Sequence, residues 1–146
     1  MVPRGLAAQD FVLEALGPEH NERDFAAWTS SVAHIHATPG FADRSWPHPM
    51  TLQENLADLE GHARDFVNRT GFTYTVLDPV ARDVIGCVYI YPADDAVHDA
   101  DVRSWVRASH ASLDVALWLT VSAWLAAVWP FTAVAYGPRG ETASTP

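Results

Sequence analysis

The chain has 146 residues, of which 49% are hydrophobic and 18% charged, and its formal net charge is −9. This length and composition predict one domain with a sizeable core and exclude a disordered chain. The negative charge argues against a nucleic-acid or anionic-membrane partner, because such surfaces are bound by basic patches. The single cysteine, Cys87, allows no internal disulfide and favours a reducing compartment.

The N-terminal residues 1–10 lack an apolar core of the length that a secretory signal needs, so a cytoplasmic location is expected. Residues 115–136 carry no charge, and a membrane span has to be considered there. Pro130 divides the run, and a helix ending before it would reach only about 22 Å. We therefore favour a buried helix followed by a buried strand.

The first half of the chain predicts one strand and two helices. Residues 11–16 are largely apolar and are followed by Gly17 and Pro18, which indicates a strand. Asn21 can cap a helix whose apolar side chains recur at spacings of three and four: Phe25, Trp28, Val32 and Ile35. The pair Thr51 and Glu54 forms a capping box for a second helix, with Gly71 beyond its end.

The second half predicts a hairpin and then a strand, a turn, a helix and a strand. Residues 72–77 and 84–91 are rich in β-branched and aromatic side chains and should pair antiparallel. After a polar loop come a strand over 101–107, a turn over 108–112, a helix over 113–129 and a strand over 131–136. Residues 137–146 are rich in Gly, Pro, Ser and Thr and are expected to fray.

This order of elements, β-α-α-β-β-β-α-β, resembles the GNAT superfamily of N-acetyltransferases. The passage from Leu77, Asp78 and Pro79 to the Ile85-Gly86 pair resembles the family's second and third strands. Residues 100–125 resemble its fourth strand, acetyl-CoA loop and third helix. The resemblance implies an α/β (α+β) fold: a mixed, mostly antiparallel sheet with helices on both faces, in a single domain over 1–146 whose ordered core spans about 10–136.

The resemblance also implies acetyl-CoA as cosubstrate. In the family the pantetheine arm lies between the fourth and fifth strands, which places Trp105, Val106 and Arg107 beside it. The family's loop reads Q/R-x-x-G-x-G/A, with backbone N–H groups around the pyrophosphate. Here Ser109 takes the Q/R position, and Ser112 and Asp114 take the two glycine positions.

Asp114 departs from the family pattern in a way that matters for a phosphate. Its carboxylate would repel a pyrophosphate by about 1 kcal/mol or more. Arg103 or Arg107 could offset that charge, although a plain surface arginine fits Arg107 equally well.

Two residues could carry the chemistry of amine acetylation, which needs a base for the ammonium and an acid for the leaving thiolate. Asp101 matches a position where the family often has a glutamate base; a solvated loop acid is the alternative. Tyr136 could supply the acid, or could simply pack at a strand end. The family normally continues with a fourth helix and a strand pair, whereas ten residues follow Tyr136 here, so either that part is absent or a partner chain covers the edge strand. Because an uncovered edge strand is a liability, we expect a homodimer.

The acceptor is expected against the first helix and the loop after it. The predicted contacts are Trp28, His34, Trp46 and Tyr89. Histidines two apart on a helix, such as His34 and His36, point to different sides, so no metal site is predicted.

Two functions remain open. The first is acetyl-CoA-dependent N-acetylation of a small amine, without nucleic-acid or membrane partners. The second is a non-catalytic ligand-binding or interaction module that has lost coenzyme binding, which the degenerate loop favours.

Overall fold

The computed structural model describes residues 2–139. Six strands form one sheet: β1 (Gly5–Ala7), β2 (Val12–Ala15), β3 (Phe72–Leu77), β4 (Val84–Tyr91), β5 (Ala100–Val106) and β6 (Val134–Tyr136). The helices are α1 (Asn21–Thr29), α2 (Val32–His36), α3 (Leu52–Asn68) and α4 (Asp114–Val128). Short 3-10 turns occupy Pro18–His20 and Ala108–Leu113.

The strands lie in the order β1-β2-β3-β4-β5-β6. All neighbours are antiparallel except β5 and β6, which are parallel over three residue pairs that end at Val102 and Tyr136. The predicted mixed, mostly antiparallel sheet is therefore confirmed. Strand β1 is missing from the prediction, because three residues are too few to show a period of two.

Helices cover both faces of the sheet, as predicted. On one face α4 packs Leu117, Val121, Trp124 and Leu125 onto the strands. On the other face α1 and α3 bury Trp28 and Leu59 against Cys87 and Trp105. Side chains that alternate along β4 and β5 thus feed two separate apolar clusters.

The predicted first helix is two helices. Ser30 and Ser31 interrupt it: the Ser30 hydroxyl donates to Ala27 O at 2.7 Å, and Ser31 has non-helical dihedral angles. The Ser31 hydroxyl instead accepts the Ala108 N–H at 2.8 Å. Serine hydroxyls compete with helical hydrogen bonds, which accounts for the break.

Helix α4 is apolar on nearly all sides. Among residues 2–139, Ala108–Val128 is the one helical stretch long and apolar enough, by length and composition, to cross a membrane. Its inner face packs on the sheet, whereas Leu119 and Val128 are 50% and 55% exposed on the outer side.

The predicted last strand and tail need correction. Strand β6 begins only at Val134, because the N–H groups of Thr132 and Ala133 donate to the Asp99 carboxylate at 2.9 and 3.1 Å. Gly137 to Arg139 do not fray: Arg139 is 3% exposed and hydrogen-bonded. The remainder of the predicted tail, 140–146, lies outside the described residues.

Gly86 is required by the close approach of β4 and β5. It pairs with Val106, and a Cβ at this position would collide with the Trp105 carbonyl. We expect Gly86→Ala to lower the free energy of unfolding by about 2 kcal/mol, because backbone rather than a flexible side chain must move. Urea unfolding measures this change.

Gly61→Ala is the matched control for this substitution. Gly61 lies inside α3, and the nearest atom to an added Cβ there is the end of Arg64 at 3.7 Å. Alanine should stabilise that helix by roughly 0.5–1 kcal/mol. Equal effects of the two substitutions would contradict the steric argument.

Candidate functional site

A cavity of about 430 Å³ lies between α1, α3, the loop after α2 and the strands β4 and β5. We refer to it as the acceptor cavity. Its lining residues are Leu16, Asp24, Phe41, Arg44, Trp46, His48, Asn55, Asp58, Leu59, His62, Tyr89, Tyr91 and Arg103.

One wall of the acceptor cavity is aromatic. The ring centroids of Trp46 and Tyr89 lie 6.4 Å apart, and Phe41 packs on both at 6.0 and 6.1 Å. The Tyr89 hydroxyl accepts a hydrogen bond from Trp105 Nε1 at 2.9 Å. Burial raises the pKa of Tyr89, so its phenol stays protonated. This wall suits the apolar part of a small ligand.

Asp24 places a buried carboxylate in the acceptor cavity. It is 5% exposed, and Asn55 Nδ2 donates to its Oδ2 at 3.1 Å. Asn55 is fixed in turn by Asn21 Oδ1 at 2.8 Å and by Trp28 Nε1 at 3.0 Å. Among residues 2–139 no Lys or Arg forms an ion pair with Asp24.

The free-energy cost of burying the Asp24 charge is reflected in the pKa of this carboxyl group. Burial raises the pKa of Asp24 to about 6, against the lowering effect of the Asn55 hydrogen bond. A buried carboxylate that forms no ion pair with a Lys or Arg of residues 2–139 has the chemistry to bind a ligand cation.

His62 lines the same cavity from α3. Its Nδ1 lies 2.9 Å from Tyr91 Oη and 3.1 Å from Thr73 Oγ1. Burial lowers the pKa of His62, which favours the neutral imidazole. The ring is therefore held in one orientation by two hydroxyl groups.

A second cavity of about 640 Å³ adjoins the first and shares Arg44, Trp46 and Arg103 with it. Asp101 lies in this second cavity and forms an ion pair with Arg103 at 2.5 Å. Burial raises the pKa of Asp101. The predicted base is thus beside the acceptor cavity, not in its lining.

Among residues 2–139, the edge of β5 that faces β6 has no strand partner beyond Val102, where the β5–β6 pairing ends. Arg107 N donates to Ile85 O at 2.8 Å, which fixes the alternation of hydrogen bonds along β5. The N–H and C=O groups of Ser104 and Val106 therefore point away from β4, into the gap toward β6. Arg139 Nη2 donates to Ser104 O at 2.7 Å, and no residue in 2–139 continues the β5–β6 ladder to Val106.

Solved structures of acetyltransferases share this arrangement of strands and helices. A ribosomal-protein-S5-alanine acetyltransferase from Vibrio fischeri superposes with a TM-score of 0.63 at 11% identity, over 84% of this chain and 68% of that one. RimL, a ribosomal L7/L12 alpha-N-protein acetyltransferase, gives 0.63 at 14% identity, over 86% and 67%. The microcin C7 self-immunity acetyltransferase MccE, in complex with acetyl-CoA and AMP, gives 0.68 at 12% identity, over 86% and 66%.

The chain has the GNAT fold. It spans about two thirds of the length of these three proteins. No protein-family model matches the sequence, and no curated protein matches it.

Asp114 in this GNAT fold is not the uncompensated charge that the sequence suggests. Arg139 Nε donates to its Oδ2 at 2.9 Å, and the two form an ion pair. The predicted offset by Arg103 or Arg107 is wrong: Arg103 pairs with Asp101, and Arg107 donates to Val84 O at 3.2 Å. The charge of Asp114 is neutralised by the residue 25 positions later in the chain.

The turn before α4 differs from a glycine loop. Residues Ala108–Leu113 form 3-10 helix, and the N–H of Ala108 is bonded to Ser31 Oγ and that of His110 to Arg107 O. Ser109 and Ser112 are exposed on this turn. They stay predicted cofactor contacts.

The four predicted acceptor contacts divide into two groups. Trp46 and Tyr89 line the acceptor cavity. Trp28 does not line it: it is 1% exposed and packs under the lining residue Trp46, with the two ring centroids 5.5 Å apart. His34 is half-exposed on α2 and lines neither cavity. Trp28 and His34 stay predicted acceptor contacts that do not line the cavity.

Asp24, Asn55, His62 and Arg139 are absent from the prediction. Asp24 has the position of an ordinary first-turn acid. The missed signal is in α3, where polar residues recur at spacings of three and four: Asn55, Asp58, His62 and Asp65. Among residues 2–139 no group of three or more His, Cys, Asp or Glu side chains could hold a metal ion.

Asp24→Asn should stabilise the protein at pH 8. The folded-state pKa of about 6 exceeds the ordinary 3.8, so the wild type loses stability as the pH rises through this range. Asparagine still accepts the Asn55 hydrogen bond without a charge. We expect the variant to gain about 2 kcal/mol over the wild type at pH 8 and far less at pH 4.

Urea unfolding of both proteins at the two pH values measures this difference. Asp10→Asn, at an exposed position, should change stability little at either pH. A gain that is the same at pH 4 and pH 8 would contradict the assigned cost of burying the Asp24 charge.

Proposed function

We propose that this protein is an acetyltransferase that uses acetyl-CoA to acetylate a small molecule bearing an amine. The observation that carries this proposal is the Asp24 carboxylate, which is buried in an aromatic cavity without a cationic partner in residues 2–139. The cavity adjoins β5, whose other edge is open. The acetyltransferases that share the fold support the reaction class.

The open edge of β5 fits acetyl-CoA. Arg107 Nε is a buried donor and Asp114 Oδ1 a buried acceptor, and neither has a partner among residues 2–139. The N–H and C=O of Val106 also face the gap. Acetyl-CoA carries phosphates, amide N–H groups and amide carbonyls, which match these groups. Val106, Arg107, Ser109 and Ser112 would hold it, beside Trp105, and it would supply an acetyl group as a reactive thioester.

The size of the acceptor cavity and the Asp24 carboxylate favour a small cationic amine, and the two arginines that also line the cavity, Arg44 and Arg103, lie beside Asp101 instead. About 430 Å³ lies within the roughly 300–1,000 Å³ of small-molecule sites. Asp24 would bind the ammonium group, and Trp46 and Tyr89 would pack on the apolar part of the molecule. The fold relatives named for ribosomal proteins act on larger acceptors, so the small amine is our inference from the cavity.

Tyr136 is our proposed acid for the leaving thiolate. Its hydroxyl lies 2.6 Å from Ser104 Oγ, at the gap between β5 and β6. Burial raises the pKa of Tyr136 to about 12, so the phenol keeps its proton at neutral pH. Asp101 stays a candidate base, although its ion pair with Arg103 occupies the carboxylate.

A second function, a non-catalytic binding module, is favoured by the turn Ala108–Leu113. Its N–H groups at Ala108 and His110 are already bonded within the protein, at 2.8 and 2.9 Å. Such a turn offers a pyrophosphate fewer free donors than a glycine loop. Coenzyme binding and acetyl transfer discriminate between the two functions.

We expect the wild type to bind acetyl-CoA with a micromolar Kd in calorimetry, and to release free thiol when a primary amine such as tyramine or phenethylamine is added. Asp24→Asn should raise the KM for the amine about tenfold, the equivalent of roughly 1.4 kcal/mol of lost binding. Asp95→Asn, in the exposed loop after β4, is the control. Absence of acetyl-CoA binding would contradict the acetyltransferase and leave the binding module.

Arg139 should matter to coenzyme binding through the charge of Asp114. Arg139→Met leaves that carboxylate unpaired, so we expect weaker acetyl-CoA binding and a stability loss of about 3 kcal/mol. The double variant Asp114→Asn, Arg139→Met removes both charges and should recover most of the affinity in calorimetry. Tighter binding by Arg139→Met alone would mean that the guanidinium obstructs the gap instead.

The predicted homodimer and cytoplasmic location stay predictions. The edge of β6 that no strand of residues 2–139 covers, together with the outward side chains Leu119 and Val128, supports the homodimer.

A further inference from the structure

We propose that His62 is the catalytic base of this site: its Nε2 takes a proton from the acceptor amine, and Tyr91 and Asp65 conduct that proton to solvent. This inference rests on the proposed acetyl transfer. It assigns the base to α3 and the acceptor cavity, not to Asp101 in the neighbouring cavity.

The hydrogen bonds of His62 leave one nitrogen for a ligand. Nδ1 lies 2.9 Å from Tyr91 Oη and 3.1 Å from Thr73 Oγ1. Nε2 has no hydrogen-bond partner in residues 2–139. It is nevertheless not one of the fully buried polar atoms that lack a partner, so it is accessible from the cavity. Because His62 lines the acceptor cavity, Nε2 is the nitrogen that a bound amine can reach.

The ring is held firmly enough to act at a fixed position. It packs on Tyr89 with the centroids 5.7 Å apart and on Tyr91 at 6.2 Å. Tyr89 also belongs to the aromatic wall, so the packing that orients the base also shapes the ligand pocket. Such preorganisation is what a proton acceptor in a binding cavity requires.

A route for the proton leads away from the cavity. Tyr91 Oη donates to Asp65 Oδ2 at 2.8 Å, and Asp65 is half-exposed. In the neutral state this direction leaves Nδ1–H of His62 donating to Tyr91 Oη. The Nδ1 proton of His62 and the hydroxyl proton of Tyr91 then both point along the direction from the cavity to Asp65.

The proton count balances along this route. The bound ammonium ion first gives one proton to His62 Nε2 and becomes the neutral amine. The Nδ1 proton passes to Tyr91 Oη, the tyrosine proton passes to Asp65, and Asp65 releases it to water. As the amine nitrogen then forms its bond to the acetyl carbon, the C–S bond of the thioester breaks; the leaving thiolate takes the proton of Tyr136, which the second N–H proton of the amine replaces. Acetylation of an ammonium ion releases one proton overall, and the relay provides its exit.

The charged and titratable groups around His62, together with its burial, both raise and lower its pKa. Those that face it, from every element packed on the cavity, are Asp58 and Asp65 of α3, Asp24 of α1, Arg44 and His48 of the loop after α2, Tyr89 and Tyr91 of β4, and Arg103 of β5. Burial lowers the pKa of His62, and the carboxylates of Asp58 and Asp65 oppose that effect. The result is an imidazole that is unprotonated at neutral pH, as a base must be.

The pH dependence of acetyl transfer tests the proposal. For the wild type with saturating tyramine, where the ammonium group holds Asp24 ionised, kcat should fall on the acid side with an apparent pKa below that of an ordinary histidine, because protonated His62 cannot accept a proton. His62→Gln should lose about 100-fold or more in kcat and should lose this acid limb. Tyr91→Phe should lose roughly tenfold and keep it. His98→Gln, in the exposed loop after β4, is the matched control.

A second readout uses the wild-type protein only and does not depend on any variant being folded. The imidazole of His62 is titrated by NMR with tyramine bound, and its pKa should coincide with the kinetic acid limb. A third readout uses a variant: imidazole added to His62→Ala should restore part of the lost rate. A mismatch between the NMR pKa and the acid limb would overturn the assignment.

The remaining outcomes separate this inference from the proposed function. If wild-type transfer is present but the acid limb persists in His62→Gln, or disappears in Asp101→Asn, the base is not His62 and the acetyltransferase stands. If the wild type binds acetyl-CoA but acetylates no amine in the panel, the proposed function fails and the assignment of His62 fails with it.

Discussion

Strand β5 is the element on which every part of the candidate site depends. Its side chains alternate between the two faces of the sheet: Arg103 and Trp105 face the acceptor cavity and its core, whereas Val102 and Val106 face α4. Its backbone alternates as well, so that Ser104 and Val106 point their N–H and C=O groups into the gap toward β6. The proposed acceptor site therefore lies on one face of β5, and the proposed coenzyme site lies along its edge.

Buried charge is distributed unevenly between the two sides of that strand. On the side of β5 proposed for the coenzyme, Asp114 pairs with Arg139, which is also hydrogen-bonded to the backbone of β5. On the acceptor side, Asp24 has neutral hydrogen-bond partners only, and burial raises its pKa to about 6. The first arrangement stabilises the fold, whereas the second costs stability and is available to a ligand cation.

Much of the fold could be predicted from the sequence, because its signals are local. The Thr51–Glu54 capping box begins α3, and both of its hydrogen bonds form, at 2.8 and 3.0 Å. Residues 72–77 and 84–91 have the period and composition of strands and form β3 and β4. The predictions fail where a residue bonds to a group far along the chain instead of to its neighbours. The Ser31 hydroxyl, for example, accepts the N–H of Ala108, and the predicted first helix is divided at that serine.

The sequence by itself determined the order of the main strands and helices, including the antiparallel pair β3 and β4 and the capped start of α3. Only the tertiary structure decided which polar residues form the site. The desolvation of Asp24, the orientation of His62 by Thr73 and Tyr91, and the pairing of Asp114 with Arg139 each join residues far apart in the chain. The burial of a side chain and the pKa of its titratable group depend on neighbours in space, and a periodic pattern along the chain does not identify those neighbours.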